Sequence, residues 1–490
     1  CRLDLKLKGE RLVWIADGQA EPPGNASTCS RGRFHAYDLH WYGARITKPM
    51  IRQGGSLQEA SWGKAIEVLI QEFRAAAELG GADAVAALAS PEASNEGLYL
   101  LQKWLRLGWK SNGLDFPGRD SAEECLAALA AATGQVRLDA PLSRLVEAPA
   151  VFAWGDVSGV VPVVGTQLRR AVRGGRLKLV QVSGAATELS PFTATALTAG
   201  PGVWGRIAGA LGDALVDSGA VAPAVLDRIT ELTEPSQGLV TFNVGEHGFT
   251  MEAFKRLLQA VVEAPAMAFT VPANAVAGLD PDERRGFWRA LVKLALLKCD
   301  PTGGALPLLH PCFADGNSVG ALLMGVSPTR LPGFLPLADA AARQAFMTLN
   351  DGLEPPAPFA GEPAAALEAG RVKAVLAQEP SRIWEQGLIS WQNRLQQVPF
   401  LTVMDCVESP ALETAQVVLP LAAFGEQSGT VINQEGRWLQ LAQAMPPEQS
   451  SLADWEILGQ ILAAQGLPFP RGLETVREEI GKLGLAPEKL

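Results

Sequence analysis

Apolar and polar positions alternate at the start of the chain. Leu3, Leu5 and Leu7 interleave with Asp4, Lys6 and Lys8, Gly9-Glu10 supplies a turn, and Arg11-Leu12-Val13-Trp14-Ile15 gives a second apolar run. This pattern predicts a small β-hairpin. A polar loop, Glu21-Pro22-Pro23-Gly24-Asn25, then leads to Cys29. From Ser61 to Glu78 apolar residues recur at helical spacing behind a serine suited to an N-cap. Ala84–Leu88 reads as a short buried strand, and roughly Ser94–Gly108 as a long helix. Strand, loop, helix and strand then repeat. Ala150–Trp154 and Leu177–Val182 flank a helix near Gly165–Arg173, and further strands are expected at Val240–Asn243, Ala266–Val271, Val372–Leu376 and Phe400–Met404. Short continuous apolar strands alternating with helices predict an α/β protein with parallel sheets covered on both faces, in more than one doubly wound domain. Gly184–Pro201, Leu353–Pro363 and Ala444–Pro447 read as linkers, and Asp454–Leu458 and Leu473–Ile480 as parts of two closing helices.

Composition narrows the picture. Of 490 residues, 48% are hydrophobic, enough for a large core. The 42 basic and 52 acidic residues give a net charge of −10, which argues against nucleic-acid binding. No apolar stretch reaches the ~18 residues of a membrane-spanning helix. Six cysteines are too sparse for a disulfide framework, so a reducing compartment is expected. The chain starts at Cys1 rather than Met, and is expected to begin inside a longer polypeptide or after processing. His35 and His40 are expected to pack or hydrogen-bond rather than bind metal.

Cys1 and Cys29 are the first chemical candidates. By spacing alone they read more readily as two unrelated thiols. The context Thr28-Cys29-Ser30-Arg31-Gly32-Arg33-Phe34 adds a glycine that lets backbone N–H groups approach an inorganic sulfur, and two adjacent positive charges. Those are the features by which a protein tunes an iron–sulfur cluster.

The run from Cys1 through the hairpin to Cys29-Ser30-Arg31-Gly32-Arg33-Phe34 resembles the cluster-binding start of the molybdopterin oxidoreductase superfamily. The resemblance continues through Arg45–Arg52 with Gly55 and Ser61-Trp62-Gly63-Lys64-Ala65, through Ser90–Glu96, and through Asn317–Ala321 with Met324–Pro328. It is strongest from Thr414–Pro420 to Glu426-Gln427-Ser428-Gly429-Thr430 and Asn433-Gln434-Glu435-Gly436-Arg437. Local chemistry also accounts for parts of these strings: Ser94 as an N-cap, Glu96 in the first helical turn, Val417–Leu419 as a buried strand, and Gly429 and Gly436 as turns. The resemblance implies that Cys1 and Cys29 are the third and fourth ligands of a 4Fe-4S cluster, flanked by Arg31, Gly32 and Arg33. It also implies several doubly wound domains of the formate dehydrogenase and DMSO reductase type beside a small β-rich iron–sulfur domain. The expected division is 1–48 for the cluster domain, 49–120 with 335–430 for a discontinuous first α/β domain, 121–334 for an inserted second one, and 431–490 for a signature loop and helical tail.

Two departures select a branch. Catalytic members usually place a metal-ligating Cys, selenocysteine or Ser in the loop after the Asn-Glu helix. Here Asn112–Asp120 holds no Cys, and Cys125 reads as a buried thiol on a helix. Only 53 residues follow Arg437, too few for the domain that closes over the pterins. Both features resemble the branch found in the peripheral arm of NADH:quinone oxidoreductases (respiratory complex I), whose large subunit keeps the scaffold without molybdenum. The resemblance then implies an electron-transfer and scaffold role, with no catalytic residues in this segment and no molybdopterin. It implies NADH/flavin-binding and iron–sulfur subunits as partners, and a peripheral place on the cytoplasmic side of the inner membrane. Trp104, Trp109, Trp384 and Trp391 are then candidates for docking surfaces, or else core. A bis-pterin molybdenum or tungsten oxidoreductase such as formate dehydrogenase is the alternative. A third reading is a binding module using Gly155-Asp156-Val157-Ser158-Gly159 as a phosphate turn.

Overall fold

The structure is a computed structural model that describes residues 3–18, 28–41, 44–136, 138, 141–219, 221, 225–226, 249–299 and 307–485. In chain order the strands are β1 (Leu3–Lys8), β2 (Arg11–Asp17), β3 (Met50–Gln53), β4 (Ser56–Glu59), β5 (Val85–Leu88) and β6 (Leu114–Asp115). Then come β7 (Ala150–Trp154), β8 (Lys178–Ser183), β9 (Thr195–Thr198), β10 (Ala268–Pro272), β11 (Leu309–Cys312), β12 (Arg330–Leu331) and β13 (Leu335–Pro336). The last are β14 (Ala374–Gln378), β15 (Phe400–Asp405), β16 (Val417–Pro420), β17 (Gly429–Ile432) and β18 (Trp438–Leu441).

The expected hairpin is present: β1 and β2 pair antiparallel, with an irregularity between Lys6 and Leu7. A helical stretch, Arg31–His35 running into Ala36–Trp41, follows Cys29. A seven-stranded sheet has the order β4-β3-β16-β15-β14-β5-β6, and a five-stranded sheet the order β11-β10-β7-β8-β9. The five-stranded sheet is parallel throughout. The larger sheet is mixed, because β3 and β4 join its edge antiparallel, which differs from the all-parallel expectation.

Both sheets are α/β layers, and alternate residues of each strand face opposite cores. Val85, Ala87, Ala374 and Leu376 of the larger sheet, and Phe152, Trp154, Phe269 and Val271 of the smaller one, share a single large core. Ala86, Leu88, Val375 and Ala377 pack a second core on the far side of the larger sheet, and Val151, Ala153 and Leu179 a third beyond the smaller one. The helix Trp62–Gly80 starts where Ser61 accepts the Lys64 N–H, and Asn95–Trp109 where Ser94 accepts the Gly97 N–H.

Several expectations need correction. The supposed linker Gly184–Pro201 contains edge strand β9, which pairs with β8; only Leu197 of its four residues is buried, so it shows no apolar run. Gly429 makes no turn but lies in β17, where an added Cβ would come within 2.7 Å of the Ser94 Cβ. Trp104 and Trp109 are core residues packed at a tilt against Phe73, and Trp384 and Trp391 are half-buried against the second core. The strand expected at Val240–Asn243 lies outside the described residues. Among the described residues, no helix is long and apolar enough to cross a membrane.

Candidate functional site

In an open α/β sheet, ligands bind beyond the carboxyl ends of the strands where the strand order reverses. In the larger sheet that point lies between β5 and β14, and in the smaller between β7 and β10. The loops leaving β5 and β14 carry Ser90, Glu92, Gln378 and Glu379. They enclose a cavity of about 20 Å³, room for about one water. Ligand pockets typically run to roughly 300–1,000 Å³.

An ionic latch closes this crevice. Arg382 Nη2 lies 2.6 Å and Arg31 Nη2 3.3 Å from Glu92 Oε1. Arg31 also donates to the Ala314 carbonyl, and Gln386 donates to Asp315 at 2.7 Å. Burial pushes the Glu92 carboxyl up to about 7 and Glu379 up to about 8.

At the second reversal the indole of Trp204, 1% exposed, fills the space. A Cβ on Gly155 would come within 2.8 Å of its Cη2. The ring packs on Trp154 and Phe287, and its N–H donates to the Ala199 carbonyl at 2.8 Å. The candidate phosphate turn Gly155–Gly159 is likewise satisfied from within, since the Asp156 carboxylate accepts the Gly159 N–H. A cofactor made of two anionic pterin dinucleotides does not fit these two crevices: one is narrowed to about 20 Å³ and lined by carboxylates, and the other holds a tryptophan.

The Cys29 turn lies at the amino-terminal edge of the fold. Cys29 is half-buried against the third core, and its carbonyl accepts the Arg33 N–H. Arg33 pairs with Asp17 of β2 at 2.5 Å, and Thr28 and Arg33 hold that carboxyl at about 2. Arg31 points the other way, to Glu92. A Cβ on Gly32 would touch Thr28 Cγ2 at 3.0 Å. Cys1, the other expected ligand, lies outside the described residues. Cys125, Cys312 and Cys406 are buried, and burial raises all three thiols. Cys299 donates to the Ala295 carbonyl. Among the described residues no three His, Cys, Asp or Glu side chains converge as a metal site, so any cluster at Cys29 needs thiolates from outside them.

The signature strings form a buried clasp. Ser94 donates both its N–H and its hydroxyl to Asp454, and Glu96 accepts the Thr430 N–H and hydroxyl and pairs with Arg477 at 2.8 Å. Asn317 donates to Asn95 and accepts the Ile432 N–H. Burial lifts Asp454 to about 6. The Asn-Glu helix, the Asn317 loop, β17 and the tail are thereby joined by direct bonds, with Arg477 Nη2 buried and without a hydrogen-bond partner among the described residues. Glu96 and Asp454 are central here, and local sequence reading sees only helix starts. His40 does hydrogen-bond, through Nε2 to the Phe424 carbonyl at 2.8 Å. A wider cleft, about 760 Å³, lies elsewhere, between Leu335, Thr348, Phe469 and Lys482; its buried Lys103 pairs with Glu479 at 2.5 Å.

Comparison with known proteins bears on the family and the fold. The family profile described as molybdopterin oxidoreductase matches residues 45–464. The G 2 subunit of the NADH-quinone oxidoreductase of Rhizobium meliloti (strain 1021) is 31% identical across all of this chain, which spans 56% of that protein. Probable oxidoreductase YjgC of Bacillus subtilis (strain 168) is 24% identical over 94% of the chain and 47% of its own length. The chain thus spans about half the length of these relatives. Acetylene hydratase from Pelobacter acetylenicus shares the fold, with a TM-score of 0.67 over 99% of this chain and 71% of that one at 13% identity.

Proposed function

Because the chain belongs to the molybdopterin oxidoreductase family, we propose that it is the scaffold portion of an electron-transfer subunit in an NADH:quinone oxidoreductase peripheral arm. The observation that carries this reading is the filling of both switch-point crevices, by the Glu92 latch and by Trp204. The likeness along the whole chain to an NADH-quinone oxidoreductase subunit supports it further. In this reading Cys29 and Cys1 hold one side of a 4Fe-4S cluster, with the remaining thiolates coming from outside the described residues. When bound, such a cluster supplies one-electron transfer. The chain's own part is to fix the Cys29 turn against the body. Arg33 anchors it to the hairpin and Arg31 to Glu92, so the turn is braced from two sides. NADH/flavin-binding and iron–sulfur subunits are the proposed partners, at the cytoplasmic face of the inner membrane.

Cys29→Ser in the full-length protein tests this role. It should remove one reduced-state cluster signal from the electron paramagnetic resonance spectrum and lower bound iron by about one cluster's worth, while the fold stays intact. An unchanged signal and unchanged iron would refute the assignment.

A further inference from the structure

The narrow crevice between β5 and β14 has a chemistry of its own. Glu379 Oε2 is buried and has no hydrogen-bond partner among the described residues. Beside it Gln378, 2% exposed, leaves its Nε2 without a partner while its Oε1 accepts the Ser90 N–H at 3.3 Å. Flipping that amide would set its NH2 against the Ser90 N–H, so the orientation is fixed. Glu379 also adopts φ +45°, uncommon for a residue other than Gly, Asn or Asp, so its surroundings hold it there. Both side chains line the cavity of about 20 Å³.

An ionised carboxylate oxygen sealed from water without a donor is costly, whereas a protonated one is itself a donor. The groups facing Glu379 make ionisation harder. The carboxylates of Glu92, Asp405 and Asp454 approach it from three other segments and raise it, while the Ser90 side chain acts the other way by donating to the ionised form. Glu92 in turn faces Asp315 and Glu385, with Arg31 and Arg382 as its cations. Arg31 and Arg382 are thus both engaged by Glu92. We propose that this chamber is a proton-binding site, in which Glu379 carries the proton and a single water bridges it to the Gln378 amide. The site stands on the crevice geometry and is independent of the proposed electron-transfer role.

The sign of its effect follows from burial. The Glu379 carboxyl is raised to about 8, against ~4.3 in an unfolded chain. Its proton therefore favours the fold at low pH, and this contribution fades as pH rises from about 4.5 to 8. For this one group the unfolding equilibrium shifts about tenfold per pH unit in that window. The test is infrared difference spectroscopy of wild type against Glu379→Gln at pH 7. A protonated-carboxylic-acid carbonyl band belonging to Glu379 is expected; a difference containing only carboxylate bands would overturn the proposal. Should the variant misfold, wild type is titrated from pH 6.5 to 9.5. Loss of carbonyl intensity equal to one carboxyl that persists in Glu92→Gln supports the site, and a flat response in that variant overturns it. Glu92→Gln should leave the Glu379 band in place; its disappearance would assign the proton to Glu92 instead.

Discussion

Trp204 buries its indole at the carboxyl ends of β7 and β10, in contact with Trp154, Phe287 and the space above Gly155. Removing a buried ring leaves a cavity that the surrounding core cannot fully close. Trp204→Ala should therefore cost about 3–5 kcal/mol, measured by urea unfolding; a loss below about 1 kcal/mol would mean that the ring is not holding this crevice shut. Nothing in the sequence around Trp204 singles it out, because its role comes from Gly155, just past the end of β7 and far away in the chain. Residues acting locally are different. Ser61 and Ser94 can be read as caps because each accepts an N–H three residues on. Glu96 reads as a first-turn acid, yet its partners Thr430 and Arg477 lie far along the chain. Such pairings leave no periodicity behind.

At the scale of elements, the helix Ala36–Trp41 meets the loop after β16 at one charged junction. Arg45 forks onto Glu426 at 3.0 and 2.8 Å, and His40 Nδ1 lies 3.5 Å from the same carboxylate. Burial alone would raise Glu426, but the hydrogen bonds from His40 and Arg45 outweigh it and hold the carboxyl at about 2. A depressed carboxyl stabilises the fold above its unfolded value of ~4.3, and that contribution is lost as pH falls toward 2. Its full size is about 3 kcal/mol at about 1.4 kcal/mol per pKa unit. Glu426→Gln should flatten the stability profile between pH 4.5 and 2, as followed by thermal unfolding; an unchanged acid slope would contradict the junction. The central strands β5, β7, β14 and β15 are continuous apolar runs buried on both faces, and their pattern predicts them. Edge elements escape. β9 exposes most of its residues, β11 contains Pro311, and β3–β4 pair antiparallel with half-polar faces. An edge strand needs only one partner and one buried face, so its sequence is less constrained.

For the whole molecule, two sheets share one core, and each has its ligand crevice filled by its own side chains. The α/β class and the family could be read from the strands and the signature strings. The closure of the crevices could not, since it depends on Arg31, Glu92 and Arg382 meeting from three separate segments. That closure is the central claim: a fold of the molybdopterin family retained as a frame. Molybdenum and pterin content of the full-length protein, purified from cells supplied with molybdate, tests it most directly. Iron without molybdenum or extractable pterin is the expected result. One molybdenum with two pterins per chain would contradict the account.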